Sequence, residues 1–269
     1  MDESEKKELL ATALEVAREG AALIQEGHRQ KKVTAAVTHH KGATDLVTDY
    51  DRACEELLRA RLLSRTPHPV TGEEFGGADE SESIRWLVDP IDGTTNYVHG
   101  HPFYCVSIGL VENGLPVLGA IVAPALAHEW TGIVGAGSFR DGVPIVVSTT
   151  EVFGKSLLAT GFPYERSEAH PDFVAFERIK MICQAVRRCG SAALDLALVA
   201  DGTYEGYWER RIKPWDAAAG AAIVLGAGGR LSRYDGSPFD VMKGDLVATN
   251  GHIHGELLAP LKEIADSIP

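Results

Sequence analysis

Eleven residues, WLVDPIDGTTN at 86–96, constrain this chain more than any other stretch. A short apolar run reads as a buried strand and leads straight into Asp89, Pro90, Ile91 and Asp92. Pro90 fixes the backbone and Gly93 permits a sharp turn. Two carboxylates three residues apart therefore emerge together, and the carbonyl of Ile91 is free to point between them. Thr94-Thr95-Asn96 opens a helix whose first amides lack partners within it, a ready cradle for a phosphate. Magnesium takes oxygen ligands and keeps some waters, so carboxylates and phosphate oxygens complete its shell together. Glu73-Glu74 and Asp216 are further acids placed at a strand end and a helix start. A lone Asp-Gly-Thr is more often an ordinary capped turn, and only the whole string argues for a metal–phosphate site.

The formal net charge is −12 over 269 residues. So acidic a surface excludes a nucleic-acid backbone as partner and repels anionic lipid. An anionic substrate remains open to it if cations come between. Four cysteines without a CxxC pair read as free thiols in a reducing compartment. The charged opening MDESEKKELL lacks a signal-peptide core, and the longest apolar stretch, near 117–127, is too short to span a bilayer. A cytoplasmic protein is expected.

Helical spacing predicts a first helix over 4–26, capped by Ser4 and stopped at Gly27, and a second over about 49–63. Strands are expected at 68–71, 85–88, 106–111, 116–122, 133–135 and 145–147, with turns at Glu112-Asn113-Gly114 and Arg140-Asp141-Gly142. The pattern changes near residue 150. Strands at 157–160, 186–188, 204–208, 229–232 and 246–249 then alternate with helices at 173–185, 191–200, 216–225 and 253–265. Two packed halves are expected, 1–150 with an antiparallel sheet and 151–269 with alternating strand and helix, forming one catalytic unit. Trp86, Trp208 and Trp215 are expected in the core. His39, His40, His252 and His254 read as surface residues, Arg187-Arg188 as a mere basic pair, and Arg210-Arg211 as facing water rather than a second phosphate.

VDPIDGTTN, preceded by GEE at 72–74 and followed by PWDAAAGAAIVLGAGG at 214–229, resembles the inositol monophosphatase family of magnesium-dependent phosphatases. DLVTDYD at 45–51 and GSAALDLALVADGTYEGYWE at 190–209 extend the resemblance over essentially the whole chain. The spacing of Asp89 and Asp92 differs from the Asp-x-Asp of phospho-aspartate phosphatases. The resemblance implies a layered αβαβα sandwich of the fructose-1,6-bisphosphatase type, two or three magnesium ions, a homodimer and lithium sensitivity. It implies metal ligation by Glu73, Asp89, the Ile91 carbonyl, Asp92 and Asp216. Phosphate would meet Asp92, Asp216 and the amides of Gly93, Thr94 and Thr95. The attacking water would be held by Glu73 and Thr94, with Asp51 and Lys41 serving a mobile loop tied to a weaker metal. Glu209 and the Ala192 amide would hold substrate hydroxyls. The substrate implied is a small polyol phosphate such as inositol-1-phosphate; fructose-1,6-bisphosphate, histidinol phosphate, a 3′-phosphonucleotide and a purely regulatory binding role are the alternatives.

Overall fold

The computed structural model describes residues 1–29, 38–40, 46–77, 82–162 and 171–266. Helix α1 (Glu3–Arg29) is followed by strands β1 (Thr38–His40) and β2 (Leu46–Thr48), helix α2 (Asp49–Arg65), and strands β3 (Val70–Gly72), β4 (Gly76–Gly77) and β5 (Ile84–Asp92). Helix α3 (Thr94–His99) then precedes β6 (Cys105–Glu112), β7 (Leu115–Ala123), β8 (His128–Ile133), β9 (Gly137–Arg140) and β10 (Val143–Ile145). After β11 (Leu157–Thr160) come α4 (Pro171–Lys180), β12 (Ala185–Arg187), α5 (Ala192–Ala200), β13 (Gly206–Arg210), α6 (Pro214–Gly226), β14 (Arg230–Ser232), β15 (Asp245–Thr249) and α7 (His254–Asp266).

Five layers result. Helices α1 and α2 cover one face of an eight-stranded sheet ordered β10-β9-β8-β7-β6-β5-β3-β4. Helices α5 and α6 fill the space between it and a five-stranded sheet ordered β12-β11-β13-β15-β14, and α4 and α7 close the far side. Three apolar clusters fill the four interfaces between helices and sheets, one of them covering both sides of the α5–α6 layer. This is the expected αβαβα sandwich, with one sheet built from residues 70–145 and the other from 157–249. Strand β5 lies inside the large sheet, parallel to β3 and antiparallel to β6, and is buried along nearly its whole length, as its apolar run requires.

Helix α6 is made of small residues because it lies directly on backbone. Gly109, Gly119 and Gly132 stand opposite one another on β6, β7 and β8. A Cβ at Gly109 would meet the Ala219 amide at 2.6 Å, and one at Gly132 the Ile223 Cα at 2.8 Å. On its other side Gly220 leaves room for Leu196 of α5. This seat brings the first turn of α6, with Asp216, toward the end of β5.

Several sequence expectations shift. Asp2, not Ser4, caps α1, its side chain accepting from the Glu5 amide. Gly27 does not end that helix; the Tyr50 ring fills the space its Cβ would need. The strand expected at 133–135 is β8 at 128–133, and β9 and β10 form the hairpin around Asp141 and Gly142, both with positive φ. Helix α4 stops at Lys180, not residue 185, because the Gln184 and Ala185 amides turn to the Ser156 carbonyl at the edge of β11. Trp86 and Trp208 are core residues, whereas Trp215 is only half-buried. His254 is buried, not a surface residue; its ring bonds Thr249 and Ser232. The side chains of His39 and His40 lie outside the described residues. Among the described residues the four cysteines are unpaired and no helix is long and apolar enough to cross a membrane.

Replacing Gly119 by valine should force α6 off its seat. Overpacking of this kind costs about 1–3 kcal/mol, a melting temperature lower by roughly 3–10 °C at this size. Thermal unfolding of the Gly119→Val variant checks this; a wild-type midpoint would contradict the seat.

Candidate active site

The acids gather around the end of β5, beside the first turns of α5 and α6. Asp89 is buried, and its Oδ1 accepts from the Ile91 amide at 2.9 Å, closing the turn that Pro90 stiffens. Gly93 follows with φ of 99°, a conformation that suits glycine, and a Cβ there would meet the Phe103 carbonyl oxygen at 2.9 Å. Thr94 begins α3 and is buried; its hydroxyl lies 3.0 Å from the Ile91 carbonyl and 3.1 Å from Asp51 Oδ1. Thr95 is exposed.

Asp92 crosses to the other half of the chain. Its Oδ2 accepts from the Ser191 hydroxyl at 2.6 Å and the Ala193 amide at 2.7 Å, and its Oδ1 from the Ala192 amide at 3.3 Å. The side chain thus docks on the N-terminus of α5, where unpaired amides favour negative charge. Asn96 makes a second tie, its amide nitrogen donating to the Phe103 and Cys189 carbonyls.

Burial dominates the electrostatics. It pushes Asp92 up to about 6 even against those hydrogen bonds. Asp89 is held well above the usual carboxylate range by burial and then by Glu73, Asp92, Asp216 and Asp51. Asp216 rises well above it too, through burial and then Asp92, Glu73 and Glu209, although the Lys213 amide donates to its Oδ2 at 3.3 Å. Asp51, buried in the capping box of α2 with Thr48, is pushed up to about 6 by burial. Glu73 is half-buried in the turn after β3.

A buried residue that sequence reasoning passed over positions that turn: Glu55 of α2, whose carboxylate accepts from the Glu74 amide at 2.6 Å and the Phe75 amide at 3.2 Å. Nothing in the helical spacing distinguishes it from a solvated charge.

A pocket opens beside the acids, lined among others by Asp92, Ala192, Glu209 and Asp216. The Tyr207 hydroxyl donates to Glu209, and burial pushes that carboxylate up to about 7. Three further lining residues were not foreseen as functional: Ser191, Asp195 and Arg188. Arg188 is not merely one of a basic pair, since it faces the pocket. Arg210 instead stacks over the Tyr234 ring, 6.0 Å from its centroid, and neither Arg210 nor Arg211 is among the lining residues. Lys41 lies outside the described residues.

Among the described residues no three acidic, histidine or cysteine side chains are drawn close enough to hold an ion as they stand. Asp92 is turned onto α5 and Asp89 onto its own turn. The donors are nonetheless all oxygens, four carboxylates and the Ile91 carbonyl. Their mutual repulsion is the tension that a hard cation relieves, and such a set suits magnesium.

A family model for the inositol monophosphatase family matches residues 5–266. The chain belongs to that family. Its members are phosphatases that hydrolyse phosphoric monoesters and are generally magnesium-dependent. Among its relatives is the inositol-1-monophosphatase of Synechocystis, 44% identical over 80% of this chain and 76% of that protein. The fructose-1,6-bisphosphatase/inositol-1-monophosphatase of Aquifex aeolicus is 34% identical over 96% of each chain. The solved inositol monophosphatase of Anabaena superposes with a TM-score of 0.83 at 39% identity, covering 94% of this chain and 95% of that one.

The raised acids set a pH signature. A carboxylate whose folded pKa exceeds its unfolded value destabilises the fold once it ionises, so stability falls as pH rises from about 4 to 7 through the values near 6 and 7 of Asp51, Asp92 and Glu209. Buried His254, lowered to about 4, acts in the opposite direction over part of that range. Magnesium held by these acids would compete with protons for them and not for His254. Millimolar magnesium should therefore raise the melting temperature several degrees more at pH 8 than at pH 5; an equal shift at both would contradict a carboxylate site.

Proposed function

We propose that this chain releases phosphate from a small polyol monoester, inositol-1-phosphate foremost, with magnesium as cofactor. One observation carries the reading: four acids, Glu73 after β3, Asp89 and Asp92 of β5 and Asp216 of α6, share one electrostatic field beside a pocket that Glu209 also lines. The names of the Synechocystis and Anabaena relatives support the choice of ester.

Glu73, Asp89, Asp92, Asp216 and the Ile91 carbonyl would hold two or three magnesium ions. When bound, magnesium supplies the charge that binds phosphate oxygens, acidifies a water and stabilises the departing alkoxide. The chain does the rest. Amides at Gly93, Thr94 and Thr95 hold the phosphate at the start of α3. The Thr94 hydroxyl, already oriented between Asp51 and Ile91, positions the attacking water with Glu73, whose carboxylate takes its proton. Glu209 and the Ala192 amide hold hydroxyls of the leaving group. Lys41 and Asp51 would serve the loop of a weaker third ion, and a homodimer would be the working assembly.

The bisphosphate alternative rests on Arg188, a cation facing the pocket, and on the double name of the Aquifex relative. Phosphate release with and without magnesium, from inositol-1-phosphate, fructose-1,6-bisphosphate, histidinol phosphate and adenosine 3′,5′-bisphosphate, separates the readings. Magnesium-dependent release, fastest from inositol-1-phosphate, is expected. Silence on all four from protein that still binds magnesium would favour a binding role. Asp92→Asn keeps an acceptor for Ser191 and Ala193 but loses the charge, and should lower kcat at least on the order of 100-fold with the fold intact. Retained turnover would overturn the assignment.

A further inference from the structure

We propose that Asp195 is a second hydroxyl-accepting group of the pocket, which together with Glu209 selects a polyhydroxylated leaving group. The inference rests on the phosphatase reading above and names what that site prefers.

Asp195 stands in the first turn of α5 and is 1% exposed. It does not cap its helix; Ser191 does, accepting from the Leu194 amide. Its Oδ1 is buried and has no hydrogen-bond partner among the described residues, yet the residue lines the same pocket as Glu209 and Asp92. A buried carboxylate oxygen left without a donor is costly, and folded proteins seldom keep one without a use. Arg188 favours the Asp195 charge from the same pocket, but the hydroxyl and amide donors there are already committed. The Ser191 hydroxyl and the Ala192 and Ala193 amides go to Asp92, and the Tyr207 hydroxyl goes to Glu209. A hydroxyl entering the pocket would bring the missing donor.

The chemical class of that donor follows from charge. In the phosphatase reading Asp92 and Asp216 would be offset by magnesium. Asp195 and Glu209 are then left with Arg188 as the one cation among the described lining residues, so this part of the lining stays acidic. Hydroxyl groups donate to carboxylates; a second phosphate or an aryl ring does not. Two carboxylates lining one pocket and within each other's field, one of them already steadied by Tyr207, suit adjacent hydroxyls of a cyclic or linear polyol. A site built to bond a hydroxyl discriminates strongly against a ligand lacking it, because its own polar group is then left unpaired.

The test compares inositol-1-phosphate with p-nitrophenyl phosphate, an ester without hydroxyls, in wild type, Asp195→Asn and Asp195→Leu at saturating magnesium. The ratio of kcat/KM between the two esters should fall on the order of tenfold or more in Asp195→Leu, mainly through KM for the polyol. Asp195→Asn, which keeps one acceptor oxygen, should fall less. The melting temperature of Asp195→Leu should equal or exceed that of wild type, since an unpaired buried carboxylate is removed. Equal losses on both esters, or a lowered melting temperature in Asp195→Leu, would assign the residue to structure and overturn the inference. An unchanged ratio would overturn it while leaving the phosphatase reading intact. No release from either ester by wild type would remove the reading and the inference together.

Discussion

Everything at the candidate site depends on helix α6 lying flat against the large sheet. A helix normally stands off from a sheet because side chains fill the gap between them. Here Gly109, Gly119 and Gly132, in register across three strands, remove those side chains on one partner, and the Ala-Gly sequence of α6 removes them on the other. The backbones approach to contact. Asp216, three residues into the helix, is then carried toward the acids at the end of β5 and shares their field. Bulk at any of those glycines would part the two halves of the acidic cluster without touching one of its members.

What packing brings together, electrostatics resists. Asp89 feels four other carboxylates and sits out of water. The fold accepts this because each acid has a local anchor: Asp92 the start of α5, Asp89 its own turn, Asp51 the capping box, Asp216 the Lys213 amide. The anchors fix positions but do not abolish the repulsion, which is why burial still wins at Asp92. A cluster in this condition is stable with protons or with divalent cations. The same opposition explains how a chain of net charge −12 can receive an anionic ester.

Much of this was legible along the chain. The β5 turn announces itself because all of its parts, apolar run, proline, two acids and glycine, are contiguous. The change of pattern near residue 150 pointed to two packed halves, and the family resemblance implied the αβαβα layering. Short strands were harder. The β8 sequence HEWTGI mixes two half-buried polar residues with a buried tryptophan, so Ile133 and Val134 drew the expectation toward the turn that follows. Helix α4 keeps helical spacing past Lys180, but pairing of β12 with β11 takes the next residues. The pocket walls were the least legible. Arg188, Asp195 and Glu55 look like ordinary charges on a helix or strand end, and only the tertiary fold turns them toward one another or buries them. Lys41, expected from the resemblance, lies outside the described residues.

The central claim is that these acids are assembled to hold divalent cations. Anomalous diffraction from crystals grown with manganese, a magnesium surrogate with a strong signal, tests it directly. The account predicts at least two manganese peaks within coordinating distance of Asp89, with Glu73, Asp92 and Asp216 among their ligands and Asp92 released from part of its hold on α5. A cluster free of manganese, or metal bound only elsewhere on the acidic surface, would contradict it.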